Sequence, residues 1–373
     1  MNETPSLYNF SRQELGPFLK ALGAPSYAGT QVFRWLYRQR VGSLEEMTDL
    51  SKEFRATLAA QAVIQPLRLV DKQESADGTV KYGWEAAPDA QGRGGTVESV
   101  LIPMKFDEDG EPGSHTACLS TQAGCRMKCS FCATGVPKFQ RNLTTGEILG
   151  QILGMERESG IAFHNVVVMG MGEPLDNYDA TLRAMRVLND PEGLNLGRRR
   201  ITVSTSGLVD PLVRFLKDDW PATLALSLHS AIPDKRNSLV PINKANPLEK
   251  LRKILRDYTF VRRLPVTLEY ILLAGVNDGP EDAEALAAFC QDLMCKVNLI
   301  RYNPVPTLPY HSPDEDAIFK FQGRLKAKRV RAFLRERKGV DIAAACGQLG
   351  FGEGAPGGPT ESPAVPHPGG VKP

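Results

Sequence analysis

Cys125, Cys129 and Cys132 fall within eight residues in the pattern C-x3-C-x2-C. A tight loop with that spacing turns three thiolates toward one point, and thiolates are the ligands that hold iron–sulfur clusters. Ordinary cubane clusters use four cysteines, and no fourth completes this run, so one iron would be left open for a non-protein ligand. Phe131, just before the last cysteine, would shield one side. Two other readings stand beside the cluster. Zinc also takes cysteines, although structural zinc usually has a closed set of four ligands. Three buried thiols acting as small hydrophobes are the other alternative, and the polar neighbours Arg126, Lys128 and Ser130 argue against it.

A loop needs elements to hold it. After Pro112, short apolar strands alternate with helical patterns. Strands are expected near 116–121, 164–169, 201–204, 223–228, 266–272 and 296–300. Thr144 is a good N-cap for the first helix, and helices are expected over 178–188, 211–217, 248–258, 281–293 and 319–335. This order implies a parallel sheet covered by helices. Six such units make an α/β fold, an open partial (β/α)6 TIM-type barrel, too short to close as an eight-fold one.

In such folds ligands bind beyond the carboxyl ends of the strands. The cysteine loop follows the first strand, Gly170-Met171-Gly172-Glu173-Pro174 the second, and Ser204-Thr205-Ser206-Gly207 the third. Ser227-Leu228-His229-Ser230 ends the fourth and Tyr302-Asn303-Pro304 follows the sixth. Polar and glycine-rich patches therefore share one rim. Gly170 and Gly172 would let a ligand approach the backbone. Glu173 or a nearby carbonyl would accept from a cationic amine. Ser204, Ser227, His229 and Asn303 supply neutral hydrogen bonds suited to ribose hydroxyls and a carboxylate. The ligand so described carries an amino acid and a sugar.

The rest of the chain frames this barrel. Residues 1–70 read as three helices, the first opened by a Ser11/Glu14 capping box, forming an accessory domain. Its Arg34, Arg38 and Arg40 would touch phosphates or simply be solvated. Residues 71–103 read as a two-stranded β extension, with Glu98 on an edge strand facing water. Residues 104–350 form the barrel and its C-terminal loop, and the Gly/Pro-rich tail 351–373 is expected to be disordered. Seven cysteines in 373 residues are too few for a disulfide framework, so reduced thiols in the cytoplasm are expected. Net charge is +2, which does not itself announce a nucleic-acid partner. Neither a secretory signal nor a membrane span is visible.

Taken together, the motifs resemble the radical S-adenosylmethionine (radical SAM) enzymes. They are closest to the RlmN family of dual-specificity RNA (adenine-C2) methyltransferases. The residues that carry the likeness are Gly124-Cys125, Cys129, Phe131-Cys132, Val168 to Leu175, Ser204 to Gly207, Leu226 to His229, Pro241 to Lys244, and Ala345-Cys346-Gly347-Gln348-Leu349. The resemblance runs from about residue 10 to 350 and is looser over 325–339.

It implies methylation of carbon 2 of adenosine in 23S rRNA and tRNA. It implies a [4Fe–4S] cluster on Cys125, Cys129 and Cys132, and two S-adenosylmethionine (SAM) molecules per turnover. The expected SAM contacts are Gly172, Glu173, Ser204, Ser227, Leu228, His229 and Asn303. By the same resemblance Cys346 is first methylated on sulfur. A second SAM is cleaved to a 5′-deoxyadenosyl radical, which takes hydrogen from that methyl group, and the methylene radical adds to carbon 2. Cys118 then closes a disulfide with Cys346, and Glu98 or Cys118 takes the proton. The remaining cysteines, Cys290 and Cys295, are expected to be packing residues.

RNA would be held by the basic groups Arg198-Arg199-Arg200, Arg262-Arg263 and Lys326 through Lys338, and by the N-terminal domain, with the target base turned out of its stack. An external flavodoxin-type electron donor and a monomer complete the expectation. The alternatives are methylation at adenine carbon 8 by the same superfamily, and a non-catalytic, zinc-stabilised RNA-binding protein.

Overall fold

A computed structural model describes residues 4–106 and 112–350; the expected disordered tail lies outside the described residues. The chain opens with α1 (Arg12–Ala21), α2 (Ala28–Tyr37) and α3 (Lys52–Ala59). The capping box forms: Ser11 Oγ accepts the Glu14 N–H and the Glu14 carboxylate accepts the Ser11 N–H. Three strands follow, β1 (Leu67–Glu74), β2 (Val80–Ala86) and β3 (Gly95–Phe106), and then β4 (Pro112–Cys118). Two short strands, β5 (Gln122–Ala123) and β6 (Arg141–Asn142), frame the cysteine loop. The remainder runs α4 (Thr145–Ser159), β7 (Asn165–Val168), α5 (Tyr178–Asn189), β8 (Ile201–Thr205), α6 (Val209–Lys217) and β9 (Thr223–Ser227). After it come α7 (Pro233–Leu239), α8 (Leu248–Arg262), β10 (Val266–Leu272), α9 (Pro280–Cys290), β11 (Cys295–Arg301), α10 (Glu315–Ala327) and β12 (Ala332–Leu334).

One ten-stranded sheet runs through the described residues in the order β1-β2-β3-β4-β7-β8-β9-β10-β11-β12. From β4 onward every neighbour is parallel. That is the open partial barrel expected from the strand and helix order, with its strand ends on one rim.

Three expectations are corrected. The β extension has three strands, and β3 pairs antiparallel with β4, so it continues the barrel sheet. Glu98 is therefore buried in mid-sheet, flanked by β2 and β4, and does not face water from an edge. The stretch 319–335 is not one helix: α10 stops at Ala327, Arg329 takes a left-handed φ of 62°, and β12 then pairs with β11. The helix α7, with Pro233 at its first turn, had no clear apolar period and went unforeseen.

Arg34 and Arg38 both reach Glu192 beyond α5, and Arg40 reaches Glu156 on α4. These arginines tie the N-terminal helices to the barrel. No helix among the described residues is long and apolar enough to cross a membrane.

Behind the cysteine loop, Arg141 on β6 makes a buried two-pronged contact with Glu147, at 2.8 and 2.6 Å. Glu147 is also the N3 residue of α4, where its carboxylate accepts the Thr144 N–H at 2.8 Å. Removing one partner of a buried pair strands the other charge, at a cost of about 3–5 kcal/mol. Arg141 keeps its bonds to the Asn142 and Ala87 carbonyls, so Glu147→Ala should lower unfolding free energy by less than that, about 1–3 kcal/mol, read as a lower denaturant midpoint, with Glu147→Gln losing less.

Candidate active site

The cysteine loop is built by a tight exit from β5. Gly124 has φ of +75°, and a Cβ there would meet the Lys138 carbonyl oxygen at 2.8 Å. Lys128 also takes a left-handed φ, 53°, which turns the chain between Cys125 and Cys129. The Cys132 N–H donates to the Cys129 carbonyl at 3.2 Å, and the Ser130 N–H to the Leu239 carbonyl of α7 at 3.0 Å. Tyr310 Oη donates to Ser130 Oγ at 2.8 Å. Phe131 is buried against Leu239, Val240 and Tyr302, with its ring edge-on to His229 at 4.6 Å.

The three thiols are half-buried. Burial pushes Cys125 up to about 12 and Cys129 and Cys132 above the ordinary thiol range. Cys125 and Cys129 are each raised further by neighbouring cysteines of the set, so the three surround a shared volume. Among the described residues no three His, Cys, Asp or Glu side chains close tightly enough around one point to hold a lone ion.

Arg236 on α7 faces this volume. It is fully buried. Its guanidinium donates to the Leu228 carbonyl at 3.0 Å, Asn243 Oδ1 at 2.5 Å, and the Ser206 and Ser227 carbonyls at 2.7 and 3.2 Å. Burial pulls it down to about 10, while the Cys129 charge acts the other way. It stays cationic at neutral pH, and no carboxylate pairs with it among the described residues.

The rim patches meet as the strand order requires, but several are occupied by the protein itself. Both Gly170 and Gly172 lie against residues 119–122: an added Cβ would meet Ser120 Oγ at 2.6 Å or Gln122 Cβ at 2.6 Å. Their small size serves a close approach within the chain, where a ligand had been expected. Glu173 is likewise taken up. Its Oε1 accepts the Leu175 N–H at 3.0 Å, and its Oε2 accepts both the N–H and Oγ–H of Ser206 at 2.7 Å. Burial raises its carboxyl and these donors lower it. Ser204 and Ser227 share a hydroxyl contact of 3.2 Å.

The N–H groups of Leu228 and His229 both donate to the Glu269 carbonyl. His229 has a left-handed φ of 57°, and its Nδ1 accepts the Ile271 N–H at 3.1 Å. Burial, then Arg236, drives its imidazole down to about 3. The neutral ring therefore carries its proton on Nε2. Asn303 donates from Nδ2 to the Cys346 carbonyl at 3.1 Å, and its buried Oδ1 has no partner among the described residues.

Cys118 ends β4 and Cys346 sits in the loop after β12; both are free thiols. Burial, then the Cys346 charge, pushes Cys118 up to about 12. Cys346 is exposed as a residue, but the protein atoms packed around its sulfur raise the thiol to about 11, with Glu269 and Cys132 adding to the effect. The structure thus brings Cys118, Cys132 and Cys346 into one neighbourhood. The backbone of the Cys346 loop is pinned: Ala133 N–H donates to the Gly347 carbonyl at 2.8 Å, Thr134 Oγ1 to the Leu349 carbonyl at 2.7 Å, and Gln348 Nε2 to the Pro304 carbonyl at 2.9 Å.

Sequence reasoning missed Arg236 and Glu269. Glu269 lies on β10, buried, held by Asn298 Nδ2 at 3.0 Å and pushed by burial up to about 7. A charged residue inside the all-buried strand Val266–Leu272 was the available signal. The basic runs behave unevenly. Arg198–Arg200 precede β8 and Arg262–Arg263 precede β10, so they sit at the end of the sheet opposite the rim, where Arg198 and Arg262 share Asp219. Arg126, Lys128, Arg335 and Arg337 are exposed on the rim side, and Arg126 stacks on Phe139 at 3.7 Å.

Comparison with known proteins agrees with this geometry. Residues 6–64 match the ribosomal RNA large subunit methyltransferase N-terminal domain, and residues 119–290 match the radical SAM superfamily. The chain is 40% identical to the probable dual-specificity RNA methyltransferase RlmN of Halalkalibacterium halodurans, over 93% of each chain. It is 40% identical to the dual-specificity RNA methyltransferase RlmN of Desulfotalea psychrophila, over 94% of this chain and 96% of the relative. The crystal structure of a radical SAM methyltransferase from Sphaerobacter thermophilus superposes with a TM-score of 0.85 at 42% identity, covering 93% of this chain and 99% of that one.

Radical SAM enzymes work with a [4Fe–4S] cluster and SAM, and the residues here fit both. Three thiols around one volume, beside a buried guanidinium with no carboxylate partner among the described residues, suit an anionic cluster. The orphaned Asn303 Oδ1 and the His229 Nε2–H suit a polar ligand alongside it. The chain belongs to the RlmN family of radical SAM RNA methyltransferases.

Proposed function

We propose that this enzyme methylates carbon 2 of adenosine in 23S rRNA and tRNA, with Cys346 carrying the methyl carbon as a thioether and Cys118 resolving it. What supports this reading is that Cys118 and Cys346 are both free thiols outside the cluster motif, with Cys346 within electrostatic reach of Cys118 and of Cys132. When bound on Cys125, Cys129 and Cys132, the cluster with SAM supplies the one-electron chemistry that an unreactive aromatic carbon needs.

The chain's own groups do the rest. Cys346 accepts a methyl group on sulfur. Once that carbon is joined to adenine, the Cys118 thiolate attacks the Cys346 sulfur; an S–S bond forms, the C–S bond breaks, and the departing carbon keeps that electron pair and takes up a proton to become the methyl group. Gly172, Glu173, Ser204, Ser227, Leu228, His229 and Asn303 form the SAM-side wall. Within it His229 Nε2 and the two serine hydroxyls donate, and Asn303 Oδ1 accepts. Glu173 acts there by holding the Leu175 and Ser206 amides in place.

Arg126, Lys128, Arg335 and Arg337 are placed to meet RNA phosphates around the mouth, with the target base turned out into it. The accessory helices 1–70 add a further RNA contact, and the three-stranded extension joins them to the barrel that runs to residue 350. A monomer served in the cytoplasm by a flavodoxin-type donor completes the proposal.

Cys346→Ala should abolish RNA methylation while retaining about four irons per chain, as a cubane requires; methylation that persists would overturn the carrier role. Cys118→Ala should accumulate protein covalently joined to RNA, seen as a slow band that ribonuclease trims; normal yields of free methylated RNA would refute the resolving role. Mass spectrometry of nucleosides from RNA methylated by the purified enzyme should show 2-methyladenosine, and 8-methyladenosine would move the reaction to the other carbon.

A further inference from the structure

Glu98 matches a family position read as a proton acceptor, yet its carboxylate is already engaged on both oxygens. Oε1 lies 3.4 Å from Lys81 Nζ, and the two side chains are only 10% and 3% exposed. Oε2 accepts the Gly350 N–H at 2.6 Å. A proton placed on either oxygen would face a group that is itself a donor. The base-like reading therefore requires breaking a contact, and the contact in question reaches the segment that carries Cys346.

That segment is held at its other end by the same part of the fold. In the turn between β1 and β2, Asp77 Oδ2 accepts the Gly339 N–H at 3.0 Å. Ser75 Oγ and the Ala76 N–H donate to the Asp341 carboxylate at 2.6 and 3.2 Å. Residues 339 and 350 bracket Cys346. The β extension thus grips both ends of the loop, while Ala133 and Thr134 hold the Gly347 and Leu349 carbonyls close to its Gly350 end.

We propose that Glu98 and Lys81 are positioning residues: Lys81 fixes Glu98 Oε1, Glu98 Oε2 fixes the Gly350 amide, and the clasped loop presents Cys346 at the barrel mouth. The proposal rests on Cys346 being the methyl carrier. It assigns no proton transfer to Glu98, so the proton from adenine carbon 2 goes elsewhere.

Substitutions separate holding from proton transfer. Glu98→Gln keeps a side-chain oxygen that accepts the Gly350 N–H but offers no carboxylate to take a proton. Glu98→Ala keeps neither. The double variant Lys81→Met/Glu98→Gln removes the ammonium that Glu98→Gln alone would strand, so a folding defect in the single variant does not decide the matter. Each protein is purified with its cluster and compared by iron content, by kcat and KM for RNA, and by hydrogen–deuterium exchange across 339–350.

Glu98→Ala should keep its iron, speed exchange at the 345–350 end of the loop by about 10- to 100-fold, and lower kcat by a similar factor, as loss of a hydrogen bond to a charged group implies. Glu98→Gln, or the double variant, should stay protected and keep kcat within about tenfold, since the lost charge weakens the bond without removing it. A Gln variant whose loop is protected but whose kcat falls as far as that of Glu98→Ala would overturn the proposal and restore the proton acceptor. Unchanged exchange in Glu98→Ala would overturn it too. The exchange data do not depend on methyl transfer, so a failure of the Cys346 carrier reading would leave them standing and appear only in the turnover of Cys346→Ala.

Discussion

The mouth of this barrel depends on one buried positive charge. Arg236 sits at zero exposure and binds the carbonyls of Ser206, Ser227 and Leu228 together with the amide of Asn243. Those carbonyls belong to the segments leaving β8 and β9, so one side chain fixes two rim loops and the short helix α7. Removing a charge from water costs several kcal/mol even after relaxation. Carbonyl dipoles offset only part of that. The rest must come from negative charge nearby, and the adjoining element is the cysteine loop, joined to α7 through the Ser130–Leu239 backbone bond. The guanidinium thus orders the rim and favours an anionic group at the three thiols.

A second theme is how much of the rim's polarity is consumed internally. Glu173 spends its oxygens on Leu175 and Ser206. Asn277 closes a ring of bonds, donating to the carbonyls of His229 and Ile271 and accepting from the Leu273 N–H. In a low-dielectric setting a fully satisfied network of this kind is rigid, and an unsatisfied member is costly. The few donors and acceptors left over are then the informative ones. Among the described residues His229 Nε2, just after β9, and Asn303 Oδ1, just after β11, remain after the accounting.

Periodicity made the barrel legible. Near-continuous apolar strands separated by amphipathic helices fix the parallel order, and that order puts the patches at 170–174, 204–207, 227–230 and 302–304 on one rim. Thr144 and Ser11 announced their helices because a cap is a local, side-chain-to-backbone event. What escaped was mostly non-local. The pairing of β3 with β4 is the exception: Asp109-Gly110 between them is a hairpin signal, and with it unread Glu98 looked like an edge residue. The role of Gly172 depends on Gln122, fifty residues earlier in the chain. Arg236 lies in a polar stretch with no helical period, and only the fold shows that α7 forms there and turns the charge inward. The cysteine spacing named the cluster, but the pinning of Cys346 came from contacts with 133, 134, 303 and 304 that no spacing reports.

The two thiols outside the cluster motif carry a final consequence. Both Cys118 and Cys346 are held well above the ordinary thiol range by burial, so near neutral pH each is mostly protonated and a poor nucleophile. Such thiols resist casual oxidation even when adjacent. A disulfide between them therefore needs a thiolate made at the right moment and a sulfur with a good leaving group. In the proposed cycle the Cys118 proton passes to the departing carbon as the carbon–sulfur bond breaks, so thiolate and leaving group arise together and only while substrate is attached. The surroundings that suppress the resting thiols would thus confine disulfide formation to the resolving step.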